Sequence, residues 1–454
     1  MSTPEKNISK AVAVPLDPTL AKVKKVTPPQ LVRGMRDILP SEWNWWNFVA
    51  DKVESYALAY SFQRIETPIL EKTNLFTRAI GTTTDIVEKE MYSFVDQSDD
   101  HLSLKPEHTA GIARAYIEHG MLSWPQPVKL WCLGPLFRHE RPQAGRFRQH
   151  WQLDFEILGE ASAIADSQLI VLASALFASL QLPVTIQINS VGCSVCRPTY
   201  KLALVDYYKT KRSVLCEDCK RRLTRNPLRI LDCKVEACRE LARSAPQMVD
   251  FLCEVCKQHF VRLLEHLDEV ELAYQLNPYL VRGMDYYTRT VFEIWGEESE
   301  HSALGGGGRY DNLIAELGGQ PTPAVGFGAG VERIVGELKV KNVPVPVPSA
   351  PDLFLASLGE ASRKKAFKLF EDLRRQGVRV AESFTKEGLK AQLEIANRLK
   401  VKFALVLGQK ELMDGTIIVR DMENGIQEIV DLTKVVEEVK KRLEAHHANV
   451  VVVT

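Results

Sequence analysis

The chain has 454 residues, is 45% hydrophobic and 26% charged, and carries a formal net charge of zero. That length exceeds one ordinary core and predicts two or three domains, and the composition excludes collagen-like, low-complexity and wholly disordered chains. A neutral chain has no global field for a polyanion, so such a partner must be met by local basic patches, and no apolar run is long enough to span a bilayer.

The N-terminal stretch "MSTPEKNISKAVAVPLDPTLAKVKK" has no compact apolar segment before a small-residue cleavage site. It predicts a flexible leader over residues 1–26 and a cytoplasmic chain. Residues 41–60, "SEWNWWNFVADKVESYALAY", open on a Ser N-cap and run apolar at helical spacing. "FQRIETPIL" reads as a strand that Pro68 confines to an edge or bends. A short amphipathic helix, "IARAYIEHGM", follows. Then come two strands, residues 127–140 and 147–158, joined through "RPQAGR" as a hairpin. A helix over 164–180 and the strand "VTIQINS" complete this stretch.

Residues 192–270 interrupt the strands and read as an inserted helical subdomain, basic at "CKRRLTRNPLRI". Eight of the nine cysteines lie here, in close pairs: Cys193 with Cys196, Cys216 with Cys219, Cys233 with Cys238, and Cys253 with Cys256. Paired thiols in a reducing compartment point to metal before disulfides. Two such pairs complete one closed, structural Cys₄ zinc site, so one or two Zn²⁺ ions are expected; the spacing does not say which pairs combine. After the insertion, "LVRGMDYYTRTVFEIW" reads as a strand from Tyr286 onward. "KVKNVPVPVPSAP" is a Pro-punctuated linker, and beyond it "DLFLASL", "VRVAES", "FALVLG" and "TIIVRDM" alternate with helical stretches, the pattern of a small α/β domain.

Chemistry-bearing residues gather at element ends. In residues 147–158, apolar side chains alternate with Arg148, His150, Gln152, Asp154 and Glu156, a polar face that is either solvated or the floor of a cavity. Glu107 and Thr109 precede a helix, where a simple cap would also explain them. Arg138, Arg146, Arg282 and Arg333 recur at the ends of elements, near the glycines of "LGGGGRYDNLIAELGG" and "AVGFGAGVER". Forked guanidinium groups beside paired carboxylates suit a phosphate next to a cationic amine. The glycines lack the dinucleotide-binding spacing, and no Walker-type Lys loop is present.

"FRHERPQAGR" and "AVGFGAGVER" resemble motifs 2 and 3 of the class II aminoacyl-tRNA synthetases. "LVRGMDYY" and "GGGGRYD" resemble the two signature segments of the histidyl-tRNA synthetase family, and the likeness runs from Gly34 to the final helix. The resemblance implies an α+β catalytic core on a mixed, mainly antiparallel sheet over residues 27–338. It places the cysteine-rich insertion at 192–270 within the core, a linker at 339–351 and an anticodon-binding α/β domain at 352–445. The implied activity is that of a histidine–tRNA ligase. L-histidine and ATP, with Mg²⁺, give histidyl-adenylate and pyrophosphate, and histidine then passes to the 3′ end of tRNA(His). By the same resemblance, Glu107, Thr109 and Gln152 hold the α-amino group, and Glu156 and Tyr287 read the imidazole nitrogens. Tyr286 and Tyr310 line the pocket. Arg138 bridges carboxylate and α-phosphate, Arg146 and Arg333 meet ATP, His150 stands where an adenine-stacking phenylalanine is usual, and Arg282 stabilises charge building on the α-phosphate. Arg141 and Gln143 would meet the tRNA acceptor end, and "FQRIETPILEKTNLFTRAIG", with Pro68, would be the homodimer motif.

Departures from the family pattern are His108 in place of a glycine, His150, and the cysteine pairs, whose zinc rests on spacing alone. The basic insertion either touches the tRNA backbone or is a solvated helix. The rivals are a catalytically silent paralogue and a tRNA-sensing module. A silent paralogue is expected to lack the motif arginines and the C-terminal domain, and both are present here.

Overall fold

The structure is a computed structural model that describes residues 28–82, 84–141, 145–296, 303–347 and 350–451, with side chains to residue 444. The expected leader and Gln143 lie outside the described residues. The chain divides into two compact units, one ending at Val345 and the other starting at Pro346.

The first unit is organised by an eight-stranded sheet. Its strands, with those of a small side sheet, are β1 (Gln63–Arg64), β2 (Leu70–Lys72), β3 (Ser93–Val95), β4 (His101–Leu104), β5 (Val128–Phe137), β6 (Gln149–Leu158), β7 (Val184–Ser190), β8 (Tyr274–Leu276), β9 (Thr288–Gly296), β10 (Gly305–Arg309) and β11 (Ala324–Gly330). The main sheet runs β1-β5-β6-β11-β10-β9-β7-β8, and β2-β4-β3 form the side sheet. Only the edge pairs β1–β5 and β7–β8 are parallel, so the sheet is mixed and mainly antiparallel, as the family pattern implies. "FQRIETPIL" shrinks to the edge strand β1 and the start of β2, with Pro68 between them.

The helices are α1 (Trp43–Ala59), α2 (Thr73–Ile80), α3 (Thr109–Glu118), α4 (Ala163–Ser179), α5 (Arg197–Lys209), α6 (Glu217–Arg225), α7 (Glu236–Ala242), α8 (Glu254–Glu269), the short α9 (Leu313–Glu316) and α10 (Val331–Val340). The alternation in β6 sorts its side chains between two environments. Leu153, Phe155 and Ile157 enter a core with α1, α4, α8 and α10, in which Phe155 stacks on Phe327. On the opposite face Asp154 and Glu156 are also buried, so the polar face is no solvated surface. A second core joins α2, α3 and the insertion helices to Tyr286, Tyr287 and Tyr310. The insertion, α5 to α8, leaves the sheet after β7 and returns at β8.

The second unit holds a five-stranded sheet in the order β13-β12-β14-β15-β16: β12 (Leu353–Ser357), β13 (Val380–Glu382), β14 (Phe403–Leu407), β15 (Thr416–Asp421) and β16 (Gln427–Asp431). Strand β12 is parallel to both its neighbours, and the α/β alternation produces this through Glu360–Arg375 and Leu389–Arg398, both helical. Helix Val435–Val451 is the last element among the described residues.

Candidate active site

One cavity of about 840 Å³ opens on the polar face of β6 and β11. Glycines make that room. A Cβ at Gly326 would lie 1.5 Å from Glu156 Oε2, and one at Gly328 would lie 2.4 Å from Gln152 Nε2. These glycines pair in register with Glu156 and Asp154, so two bare positions on β11 leave space for carboxylates on β6.

The deepest groups are acidic and phenolic. Thr109 donates to Glu156 Oε1 at 2.7 Å, and the Tyr310 hydroxyl donates to the other oxygen. Burial outweighs both donors, and with nearby Glu107 it pushes the Glu156 carboxyl up to about 8. Glu107 caps α3, accepting from the Ala110 amide at 2.8 Å, while its buried Oε2 has no partner. That oxygen is the kind of acceptor an ammonium group fills. Tyr286 packs between Tyr287 and Tyr310, with ring centroids at 4.6 and 5.6 Å. Gln152 donates to Asp154 Oδ1 at 2.8 Å, which orients its amide.

Six arginines line the same cavity, among them the four motif residues Arg138, Arg146, Arg282 and Arg333. Arg138 follows β5, and its Nε donates to the Pro106 carbonyl at 2.7 Å, tying it to the segment that carries Glu107. Arg146 closes the hairpin and pairs with Glu140 at 3.1 Å. Arg333 lies in the first turn of α10, whose Glu332 accepts the Trp151 amide at 2.9 and 3.0 Å and so fixes the helix against β6. Burial first, and then Arg146 and Arg138 nearby, lower the Arg333 pKa, against Glu140 and Glu293. Arg282 pairs with Glu293 at 2.6 Å, its guanidinium 5.7 Å from the Tyr287 ring. It sits in a loop several residues before β9, not at the strand tip that the sequence suggests.

Every histidine- and ATP-binding residue named from the sequence lines this cavity. His150 lines it too, kept neutral by burial and Arg138, its pKa lowered to about 3. Arg141 is exposed and does not line it, although its neighbour Glu140 does. Sequence reading missed Glu293, Gly326 and Gly328 as cavity builders. The alternation in β9 marks Glu293 as a polar residue in an apolar strand, and that signal was available. His108 packs beneath Gly134, its Nε2 4.0 Å from Asp154 Oδ2.

The insertion thiols form two separate groups. Cys193, Cys196, Cys253 and Cys256 gather at its neck, and Cys216, Cys219, Cys233 and Cys238 at its tip, the four Sγ atoms of each within 4.8 Å of one another. Neighbouring sulfurs stand 3.7 Å apart (Cys193–Cys196), 3.8 Å (Cys193–Cys253 and Cys216–Cys233) and 3.9 Å (Cys196–Cys256). Four thiolates around zinc at about 2.3 Å would be separated by about 3.8 Å, so the spacing fits tetrahedral Zn²⁺.

A mixed, mainly antiparallel sheet whose polar face floors an arginine-lined cavity defines a class II aminoacyl-tRNA synthetase core. A sequence profile described as Histidyl-tRNA synthetase matches residues 34–200 and 210–334, and one described as Anticodon binding domain matches 352–442. The chain belongs to the histidyl-tRNA synthetase family. It is 46% identical over 417 residues to a Histidine–tRNA ligase of Dehalococcoides mccartyi, covering 91% of this chain and 100% of the relative. Apo histidyl-tRNA synthetase of S. aureus superposes with a TM-score of 0.75 at 32% identity, covering 91% of this chain and 100% of that one. A Bacillus halodurans protein, described as an ATP phosphoribosyltransferase regulatory subunit/histidyl-tRNA synthetase, shares the fold at a TM-score of 0.60 and 23% identity, covering 84% of this chain and 99% of that one.

Proposed function

We propose that the protein is a histidine–tRNA ligase that activates L-histidine with ATP and then transfers it to the 3′ end of tRNA(His). The observation that carries this reading is one cavity in which buried carboxylates and tyrosines share walls with Arg138, Arg146, Arg282 and Arg333. Glu107, Thr109 and Gln152 take the α-amino group, the free Glu107 Oε2 being its natural acceptor. Glu156 and Tyr287 meet the two imidazole nitrogens, with Tyr286 and Tyr310 packed around them. A pocket that pairs both nitrogens rejects amino acids that leave its buried polar groups unpaired.

Histidine's carboxylate attacks the α-phosphorus, a P–O bond forms, and the bond to the bridging oxygen breaks as pyrophosphate leaves. No general base is needed, so catalysis is alignment plus neutralisation of charge. Arg138 bridges carboxylate and α-phosphate, and Arg282 meets the charge that builds there. Arg146 and Arg333 hold the outer phosphates, with His150 and Arg333 against the adenine. Glu140 and Glu293, which line the cavity and pair there with Arg146 and Arg282, would hold Mg²⁺ arriving with the nucleotide, and the ion would supply charge neutralisation. Arg141 and Gln143 receive the acceptor end in the second step.

On this reading the core is 27–338, the insertion 192–270, the linker 339–351 and the anticodon domain 352–445, with a leader over 1–26. Zinc fills both Cys₄ groups as a structural ion. The protein works in the cytoplasm as a homodimer; no helix among the described residues is long and apolar enough to cross a membrane. Exposed Ile69, Leu70, Phe94 and Val95 on and beside the side sheet support a partner at the first motif. Light scattering should report twice the chain mass, and an active monomer would remove the dimer.

Histidine-dependent exchange of pyrophosphate into ATP tests the whole reading. Folded protein is expected to catalyse it; absence of exchange would leave a silent paralogue or a tRNA-sensing module.

A further inference from the structure

The segment from Asn277 to Tyr287, which carries Arg282, belongs to no strand or helix, so the sheet alone does not fix it. Its start is held by β7, through Asn189 Nδ2 to the Pro278 and Leu280 carbonyls and Asn277 to Gln187, and the Asp285 amide donates to the Ile80 carbonyl. The rest of its backbone and Asp285 are met by the insertion, from beside both thiol groups. At the neck, Cys196 immediately precedes Arg197, the first residue of α5. Arg197 Nε donates to the Val191 carbonyl at 3.1 Å, and Nη2 donates to Gly192 at 3.1 Å and to the Tyr287 carbonyl at 2.5 Å. The Cys193 amide donates to Cys196 Sγ at 3.1 Å, so a closed neck group sets the direction in which Arg197 leaves α5.

At the tip, the residues between Cys219 and Cys233 turn back toward the same segment. Asn226 Nδ2 donates to Asp285 Oδ1 at 2.9 Å, and Arg229 Nη1 donates to the Arg282 carbonyl at 3.4 Å. Arg229 also crowds Gly283, where a Cβ would lie 3.1 Å from its Nη1. Helix α6 is seated on the core by Arg222 with Asp85 at 3.4 Å and Arg225 with Glu88 at 2.9 Å.

We propose that the two Cys₄ groups, each closed by zinc, act as positioning devices for the histidine-activating segment, the neck aligning Tyr287 through Arg197 and the tip aligning Arg282 through Asn226 and Arg229. The metal half of this inference rests on the zinc reading above. A loop that carries catalytic groups needs supporting contacts to hold them within a fraction of an ångström of their working positions. Here those contacts are built into a subdomain too small to be rigid without its metals.

The two arms predict different kinetic signatures in the full-length, zinc-loaded protein. Arg197→Ala should raise the KM for histidine in pyrophosphate exchange at least tenfold with little change in kcat, because Tyr287 reads the ligand in ground and transition states alike. Arg197→Lys should recover part of the loss. Asn226→Ala combined with Arg229→Ala should lower kcat at least tenfold with the histidine KM nearly unchanged, because Arg282 acts on charge that exists only in the transition state. Elemental analysis and circular dichroism accompany each variant. Wild-type constants in both variants, with zinc retained, would overturn the positioning role and leave the zinc reading standing. A folded, active wild-type protein free of zinc would overturn the metal half by itself, whatever the variants do. If Arg197→Ala does not fold, the lysine variant carries the neck arm: an unchanged histidine KM there overturns it.

Discussion

Glu156 is buried, yet it accepts from Thr109 and Tyr310, and its pKa of about 8 against an ordinary 4.5 shows that burial wins. A carboxyl raised in the folded state stabilises the fold in its neutral form. The empty protein therefore loses stability as pH climbs from the ordinary value through about 8. An imidazole N–H donated to Glu156 favours the ionised form, so histidine binding should release a proton and tighten as pH rises toward 8. Calorimetry between pH 6.5 and 8.5 on wild type and Glu156→Gln checks this, because the ligand's own titrations cancel in the comparison. The variant should bind more weakly with a flatter profile; parallel profiles would show that Glu156 does not titrate on binding. Arg282 behaves oppositely: burial opposes its charge, but Tyr287 and Glu293 more than compensate and raise its pKa, so it is a permanent cation. Arg282→Ala should cut the exchange kcat by about 10²–10³, the usual loss when one donor to developing charge is removed. A rate near wild type would take it out of the chemistry.

At the scale of elements, β6 and β11 make the pocket together: one supplies polar side chains and the other supplies their absence. Gly326→Ala tests that division. Its backbone does not require glycine, since the residue is not among those with positive φ, but the new Cβ would overlap Glu156. The strand should form, thermal stability should fall by about 1–3 kcal/mol from overpacking, and histidine affinity should drop at least tenfold. Unchanged affinity by calorimetry would mean that the Glu156 end of the cavity is not where the side chain binds. The alternation in β6 was legible in the sequence because a pleated strand with one dry face has a fixed period, whereas the role of the β11 glycines was not. That role depends on the register between strands far apart in sequence. The same limit hid the grouping of the cysteines, the roles of Arg197 and Arg229, and the side sheet β2-β4-β3. Each depends on through-space partners that local pattern does not encode. Arg282 was legible as a cation near a strand, but its loop is held by partners from β7, β9 and the insertion that local pattern does not encode.

The whole molecule separates recognition from chemistry along the chain. The cores of the second unit draw only on residues from Leu353 onward, and those of the first draw on none beyond Val343. Ending the chain at Val345 should therefore leave the arginine-lined cavity closed on its own packing, with pyrophosphate exchange within about twofold of the full chain. Charging of tRNA(His) should fall at least tenfold in kcat/KM, since lost anticodon contacts worth about 1.4 kcal/mol already amount to that factor. Filter-based charging and exchange assays on the same preparation give the two numbers. Equal loss in both would mean that the second unit supports the catalytic fold, and unchanged charging would mean that the domain matched at 352–442 does not read tRNA here. The expected split follows from the physics of each step: adenylate formation needs only groups that reach one cavity, whereas selecting one tRNA requires contacts far from its acceptor end.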